Sequence, residues 1–445
     1  MYGVHKALND FYETHVRLGK TRRDKLAEYR ENCLKRLEEG LKKLGDERRQ
    51  EYCTYERAVN QGSYAMSTLN QHPNNEYDID VAVIFKGENL PTTALEARKR
   101  VADAILATNG NFLKDPEART NAVTVWYADG PHVDMAIYRE MSSFWEGTWL
   151  EHASSDWKKR NPEDIKNWFT TAVANKSPDS DWPWVSVSQG QLRRVVRWVK
   201  AFARSRTKWS LPGGMILTAV TTEVYRPNNT RDDMALYDTL KALLIRLESQ
   251  LDVSSPLDSS ILLTSKPEYK AQMKRLRERL EWVLPELEIL KNSACTYPQA
   301  LRAWGKVFNH PFWGEAADDA EEELKELAKA ETVVPLTLVV DVAASQEGPI
   351  KFRYRDANVA LPKGMHLKFS IEGVQLQRPF EVRWVVRNTG DEAAAANQLR
   401  REAISSETVH WEHTSYKGLH AMVCEVLKSG QVVARGSRRI RVAAK

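Results

Sequence analysis

Gln61-Gly62-Ser63-Tyr64-Ala65-Met66-Ser67-Thr68, followed after a polar segment by Asp78-Ile79-Asp80-Val81-Ala82-Val83-Ile84-Phe85, is the stretch around which the chain is organised. A strand sends alternate side chains to opposite faces, so Asp78 and Asp80 share one face while Ile79, Val81, Val83 and Phe85 share the other. Two neighbouring carboxylates are unfavourable unless a cation lies between them or one takes up a proton. Hard divalent cations such as Mg²⁺ take oxygen ligands and keep positions for water and substrate phosphate, which makes the pair a candidate metal site. Asp-x-Asp alone is a common pattern, and a solvated strand edge is the plain alternative.

The rest of the composition narrows the class. The 445 residues, 42% hydrophobic and 28% charged, suit a globular protein of roughly two to four domains. No run of about 18 apolar residues occurs and the start, Met1-Tyr2-Gly3-Val4-His5-Lys6, has no apolar signal region, so the expected address is the cytoplasm and no membrane partner is expected. Cys33, Cys53, Cys295 and Cys424 lie far apart, which argues against a disulfide framework and a structural zinc. A net charge of +5 permits anionic substrates but gives no strong nucleic-acid signal.

Taken in order, residues 20–50 read as one long helix, with Leu26, Tyr29, Cys33, Leu37, Leu41 and Leu44 three or four apart and a charged face expected to be solvated. A helix over residues 95–107 and a loop at Asn109-Gly110 come after the Asp-x-Asp strand. Residues 123–127 and 132–138 read as two strands joined through Asp129-Gly130, a hairpin signal. On the second of them Asp134 points away from Val133, Met135 and Ile137. Residues 142–185 read as loop-rich, and Trp145, Trp149, Trp157, Trp168, Trp182 and Trp184 as packing residues rather than base-stacking platforms. Helices are expected over 189–206, 215–225, 233–250, 266–283 and 297–308. Beyond an acidic run at 315–331 the pattern turns to short strands, 333–342, 366–371, 380–387, 418–427 and 432–442, with glycine-bearing turns.

Three aspartates, Asp78 and Asp80 on one strand and Asp134 on another, suit two metal ions for in-line phosphoryl or nucleotidyl transfer. Asp134 would complete the metal site at the attacking hydroxyl. Gly62-Ser63 upstream supplies backbone N–H groups and one hydroxyl for a triphosphate.

Gly62-Ser63, Asp78-Ile79-Asp80 and Val133-Asp134-Met135 together resemble the signature of the polymerase-β-like nucleotidyltransferase superfamily. Within it, the full Gly-Ser-Tyr-Ala-Met-Ser-Thr and Asp-Ile-Asp-Val-Ala-Val runs, with the helix bearing Lys200, most resemble the bacterial cGAS/DncV-like nucleotidyltransferases (CD-NTases) over residues 1–315. Many relatives have Gly-Thr where this chain has Ser67-Thr68, and a phosphate-contacting Ser at Gly213-Gly214. Trp384-Val385-Val386-Arg387-Asn388-Thr389-Gly390 and Glu412-His413-Thr414-Ser415-Tyr416-Lys417-Gly418-Leu419-His420 resemble the adenylyl/guanylyl-cyclase and SMODS C-terminal (AGS-C) sensor domain. Asn388-Thr389-Gly390 is equally a plain turn, and histidines such as His413 and His420 are more often satisfied within the fold than ligands.

The resemblance implies an α+β fold: a polymerase-β-like nucleotidyltransferase core with a long N-terminal helix (residues 1–185), a helical nucleotide-binding lobe (186–315), an acidic linker (316–332) and a C-terminal immunoglobulin-like β-sandwich sensor (333–445). It further implies metal held by Asp78, Asp80 and Asp134, two Mg²⁺ ions with Mn²⁺ as a substitute, and nucleotide contacts from Gly62, Ser63, Lys200 and Gly214. The substrates would be ribonucleoside triphosphates (ATP, with GTP, CTP or UTP as further candidates), the product a cyclic oligonucleotide read by a downstream effector in anti-phage (CBASS-type) signalling. Two alternatives stay open: a transferase making linear 2′–5′ oligoadenylate or modifying another acceptor, and a catalytically silent nucleotide sensor.

Overall fold

The computed structural model describes residues 1–71, 77–108, 110, 112–181, 185–329, 333–355, 357, 359–373, 379–428 and 430–443. The chain divides into two compact units, residues 1–318 and 319–445. Asn109, Trp182 and Trp184, named above, lie outside the described residues.

The first unit begins with α1 (His5–Phe11), a π-helical turn (Tyr12–Val16) and α2 (Lys20–Arg48). Then follow β1 (Arg57–Asn60), α3 (Gly62–Ala65), β2 (Asp78–Lys86), α4 (Ala94–Leu106), β3 (Phe112–Ala118), β4 (Val123–Tyr127), β5 (His132–Ser143), β6 (Gly147–Ala153) and β7 (Trp157–Lys159). These strands form one sheet in the order β1-β2-β5-β4-β3, with β6 on β5 and β7 on β6. The β2–β5 pair is parallel, while β4 and β5 form the antiparallel hairpin that Asp129-Gly130 predicts. Gly130, with φ of +110°, takes the positive angle such a turn requires.

One face of this sheet, with Ile79, Val81, Val83, Phe85, Val133, Met135 and Ile137, is fully buried against Leu26, Cys33, Leu37 and Leu41 of α2 and Val101 and Ile105 of α4. Each such aliphatic contributes about 1.5–3 kcal/mol, enough to fix the strand register and so the direction of every aspartate. The two helices meet at backbone distance, since a Cβ on Gly40 would stand 1.8 Å from the Ala104 carbonyl oxygen. The opposite face carries Asp78 and Asp80, then becomes apolar at Ala82 and Ile84, which pack with Ala136 and Tyr138.

Residues 142–185 are more regular than their sequence indicates. They hold the end of β5, β6, β7 and α5 (Asp164–Lys176). β6 lacks strict apolar alternation and is a strand because it pairs with β5, Tyr138 opposite His152. In α5 only Phe169 and Val173 are buried, too narrow a stripe to read as a helix. The tryptophans here are not core residues: Trp145 is 90% exposed, and Trp149, Trp157 and Trp168 are half-buried.

A helical lobe completes the first unit: α6 (Gln191–Ala203), α7 (Gly214–Val224), α8 (Asp232–Ser249), α9 (Pro267–Val283) and α10 (Tyr297–Phe308). Thr296 and Gln299 form a reciprocal capping box on α10. The acidic run expected as a linker is instead largely helical, within α11 (Pro311–Lys329). Trp313 and Ala317 are buried on that helix, so its entry is packed although most of the residues beyond are charged.

The second unit has β8 (Val334–Pro335), β9 (Thr337–Ala343), β10 (Ile350–Arg353), β11 (Ala360–Leu361), β12 (His366–Glu372), β13 (Glu381–Arg387), α12 (Asp391–Ala395), β14 (Arg400–Ser405), β15 (Val409–His413), β16 (Gly418–Lys428) and β17 (Gln431–Val442). A sheet ordered β10-β9-β12-β15 and a larger one ordered β11-β17-β16-β13-β14 enclose one core of Val340, Val342, Phe369, Trp384, Cys424 and Ile440, a β-sandwich. Sequence periodicity misses β10 and β14, edge strands whose residues are almost all exposed.

Candidate active site

β2 and β5 are parallel and in register, so Asp80 is paired directly with Asp134, and Asp78 with His132. Asp134 accepts a hydrogen bond from Thr124 Oγ1 at 2.5 Å, which fixes one of its oxygens. Among the described residues, the side chains of Asp78 and Asp80 accept no hydrogen bond. Burial pushes the Asp80 carboxyl up to about 7, and the charges of Asp78 and Asp134 add to it.

Asp80 is pressed against the Gly62 turn. Gly62 has φ of +60°, and a Cβ there would stand 1.7 Å from Asp80 Oδ2. The Gln61 backbone N–H donates to the Asp80 carbonyl at 2.9 Å, tying the turn to the strand. Among the described residues, Ser63 Oγ is buried with no hydrogen-bond partner. Ser67 is in the left-handed region with φ of +52°.

The opposite wall comes from α6 and α7. Lys200 is 6% exposed. Its Nζ donates to Thr68 Oγ1 at 2.9 Å. Burial brings its ammonium down to about 7, nearby Arg204 adds to that, and Asp78 opposes it. Two buried anchors orient α6. Arg194 grips Asp232 through two bonds of 3.0 Å, and Arg197 donates to the Tyr12 hydroxyl at 2.6 Å. Gly214 opens α7 beside this lysine, and a Cβ there would lie 3.5 Å from Lys200 Nζ, an ordinary contact.

All seven residues named from sequence, Gly62, Ser63, Asp78, Asp80, Asp134, Lys200 and Gly214, line one cavity of about 410 Å³. Sequence reasoning missed several others that line it, notably Gln61, Tyr138, His152, Arg160 and Lys166. Gln61 Nε2 donates to the Tyr138 hydroxyl at 3.3 Å and the Pro162 carbonyl at 3.1 Å. His152 stacks on Tyr138 and donates to the Asn121 carbonyl at 2.8 Å, and burial lowers it to about 4. Only the chain reversal through β6 brings His152, Arg160 and Lys166 here, and no local pattern marks them. Asp134 also borders a second, open cleft of about 750 Å³ lined by Arg119, Lys158, Ser265 and Lys266.

Among the described residues, no three acidic, imidazole or thiol side chains are gathered closely enough to hold an ion as they stand. The donor set still fits a hard divalent cation. It is all carboxylate oxygen, two of its members are free of hydrogen bonds among the described residues, and the charge crowding at Asp80 is what a cation relieves.

In the sensor unit, the polar residues of the AGS-C-like motif are spent inside the fold. Asn388 Nδ2 donates to the Gln398 carbonyl at 2.7 Å, His420 Nε2 to the Tyr416 carbonyl at 2.7 Å, and Thr414 Oγ1 to the Pro362 carbonyl at 2.9 Å. His413 Nδ1 lies 2.9 Å from Ser415 Oγ.

Comparison with known proteins agrees with this anatomy. Residues 56–138 match the family described as cyclic GMP-AMP synthase DncV-like, nucleotidyltransferase domain, and residues 318–444 match the adenylyl/guanylyl and SMODS C-terminal sensor domain. A cyclic GMP-AMP synthase of Escherichia albertii is 24% identical over 399 residues, covering 86% of this chain and 84% of that protein. The fold resembles the Vibrio cholerae DncV cyclic AMP-GMP synthase, with a TM-score of 0.51 at 17% identity over 69% of this chain and 96% of that one. It also resembles the GTP-bound form of Vibrio cholerae DncV, with a TM-score of 0.53 at 17% identity over 69% and 95%. Over most of its length the chain is thus similar to the bacterial cGAS/DncV-like nucleotidyltransferases, and its C-terminal part matches the adenylyl/guanylyl and SMODS C-terminal sensor domain.

Proposed function

We propose that the protein condenses ribonucleoside triphosphates into a cyclic oligonucleotide second messenger, releasing pyrophosphate at each transfer. The observation that carries the reading is the in-register pair Asp80 and Asp134, lining the same cavity as Ser63 and Lys200. The cavity of about 410 Å³ is of the size that takes a small-molecule ligand.

In this reading Ser63 Oγ and the backbone of the Gly62 turn hold the donor triphosphate, and glycine at position 62 lets that turn lie against Asp80. Lys200 takes a proton from water when a polyphosphate enters and stands against it as a point charge. Gly214 leaves the phosphate free to approach that ammonium. Asp78, Asp80 and Asp134 would hold the divalent cations. When bound, such ions neutralise charge on the leaving pyrophosphate and favour ionisation of the attacking hydroxyl. Asp134 lines both cavities, which supports a donor in the first and an acceptor in the open cleft, where Arg119, Lys158 and Lys266 offer positive charge. Closing the ring requires the linear intermediate to turn round between the two cavities. A cytoplasmic site of action and an effector that reads the product in CBASS-type defence belong to the same proposal, and among the described residues no helix is long and apolar enough to cross a membrane.

The test is incubation of the purified protein with all four ribonucleoside triphosphates and Mg²⁺ or Mn²⁺, phosphatase treatment, and product mass. A phosphatase-resistant ring is expected. A linear oligomer stripped of its triphosphate would reassign the protein to a linear synthase, and no pyrophosphate release with any nucleotide set would reassign it to a sensor.

A further inference from the structure

Positive charge is concentrated in the sandwich. Residues 333–445 hold 17 Lys and Arg against 11 Asp and Glu, a net of +6, whereas the whole chain is only +5. The near-neutral balance that gives no nucleic-acid signal over the full sequence therefore hides one basic domain.

Within that domain the charge gathers on one face. Val382, Trp384, Met422, Cys424, Val426 and Ile440 point into the core, so their alternating neighbours on β13, β16 and β17 point outward. That outer face carries Arg383, Arg387, Arg400, Arg435, Arg439 and Arg441 against Glu381, Glu402 and Glu425. Arg387 stands directly opposite Arg400 on one side and Ala421 on the other, and Ala421 stands opposite Arg439, so three arginines share one row across the sheet. Arg383 and Arg435 flank Glu425 in a second row four residues along, about 14 Å away. Between the rows a dimple of about 90 Å³ is lined by Arg383, Arg387, Arg400 and Arg435, with Val385, Val423 and Glu425.

Like charges directly opposite each other disfavour a sheet, and Arg387 on β13 and Arg400 on β14 stand in that relation. Glu425 bonds Arg383 and Arg435, and Glu402 bonds Arg400, yet the arginines of the face still outnumber its carboxylates two to one. The face already takes one anion from elsewhere in its own unit, as Arg439 pairs with Glu323 of the acidic run at 3.2 Å.

We propose that this arginine face of the sensor sandwich binds a nucleic-acid strand through its phosphates. Guanidinium forks match phosphate oxygens in pairs. Charge density favours nucleic acid over an acidic polypeptide: a strand carries one charge per about 3.4 Å, whereas an extended peptide shows one side chain per about 6.8 Å on a face. No aromatic side chain lies among the described residues of this face, so it has no platform for stacking a base and reads phosphates without regard to sequence.

The full chain is titrated into fluorescein-labelled 20-nucleotide DNA and RNA strands of two unrelated sequences, from 50 to 200 mM salt, with anisotropy as the readout. No nucleoside triphosphate is present, so the outcome is separate from nucleotidyl transfer. Binding is expected to be equal for the two sequences and to weaken steeply with salt. Arg439→Ala with Arg441→Ala, both exposed, lowers affinity at least tenfold and flattens the log–log salt slope by about 1.4. Lys42→Ala with Lys99→Ala removes the same charge from exposed positions in the first unit and leaves affinity unchanged. The proposal is overturned by absence of binding at 50 mM salt, by equal loss in both double variants, by a tenfold preference between sequences, or by displacement with poly-L-glutamate at equal charge.

Discussion

Asp80 on β2 and Asp134 on β5 stand directly opposite each other on adjacent parallel strands, and the carboxyl of Asp80 is pushed up to about 7 by burial and by its two acidic neighbours. Charge crowded this way in a polar cleft is the arrangement on which the proposed cation site rests. Asp80→Asn is therefore expected to cost several kcal/mol of transition-state stabilisation, about a thousandfold in product formation, while thermal stability holds or rises. Product yield and a melting curve on the same preparation check this, and unchanged yield would remove Asp80 from the site.

Gly62→Ala is expected to act through Asp80. The new methyl would stand 1.7 Å from Asp80 Oδ2 at a backbone angle of +60°, so either the carboxylate or the turn must move. A stability loss of about 1–3 kcal/mol should accompany loss of activity. Gly147→Ala is the control. It has φ of +69° but nothing within 4 Å, so it carries the strain without the collision and keeps its activity. Equal activity in both variants would argue against a close role for position 62.

Lys200→Met tests the buried ammonium. With its pKa lowered from 10.5 to about 7, Lys200 is neutral in the folded protein where the unfolded chain is still protonated, so the unfolded state binds more protons between those values. The contribution to stability is thus unfavourable below pH 7 and relieved as pH rises to 10.5. The methionine variant should exceed the parent in stability by most near pH 7, the two converging toward pH 10.5, while KM for the triphosphate rises about tenfold or more. Parallel denaturation profiles across that range would show that the lysine is not buried as described.

His152 gives a pH dependence in the acid range. Its ordinary value of 6.5 falls to about 4 in the folded protein, chiefly through burial. The stability it contributes is present above pH 6.5 and is lost as pH falls through 4, on the order of 3 kcal/mol in all. His152→Gln keeps a donor for the Asn121 carbonyl without the titration. Urea unfolding at pH 7 and pH 4 should therefore show the variant losing less stability than the parent, and equal losses would contradict the burial assigned to this ring.

The division between what sequence carries and what the fold supplies runs through single elements. Periodicity alone locates α2, β2, the β4–β5 hairpin, the helices of the lobe and the long strands of the sandwich, because each buries one regular face in a core. It fails for β6, β10 and β14 and for α5, whose conformation comes from pairing with the neighbouring strand or rests on two buried side chains. The acidic stretch reads as a linker from composition yet continues a helix anchored by Trp313 and Ala317.

By itself, the sequence marked Asp78, Asp80, Asp134 and the Gly62-Ser63 turn as candidates through strand alternation and phosphate chemistry, and Lys200 and Gly214 as candidates through the family resemblance. Only the tertiary structure decided that Asp80 and Asp134 are register partners, that His152, Arg160 and Lys166 join their cavity, and that the arginines of β13, β14 and β17 form one surface. The reason is physical. Alternation is a property of a strand's own backbone, whereas register and strand order come from burying the apolar face of the whole sheet, a condition no short stretch of residues contains.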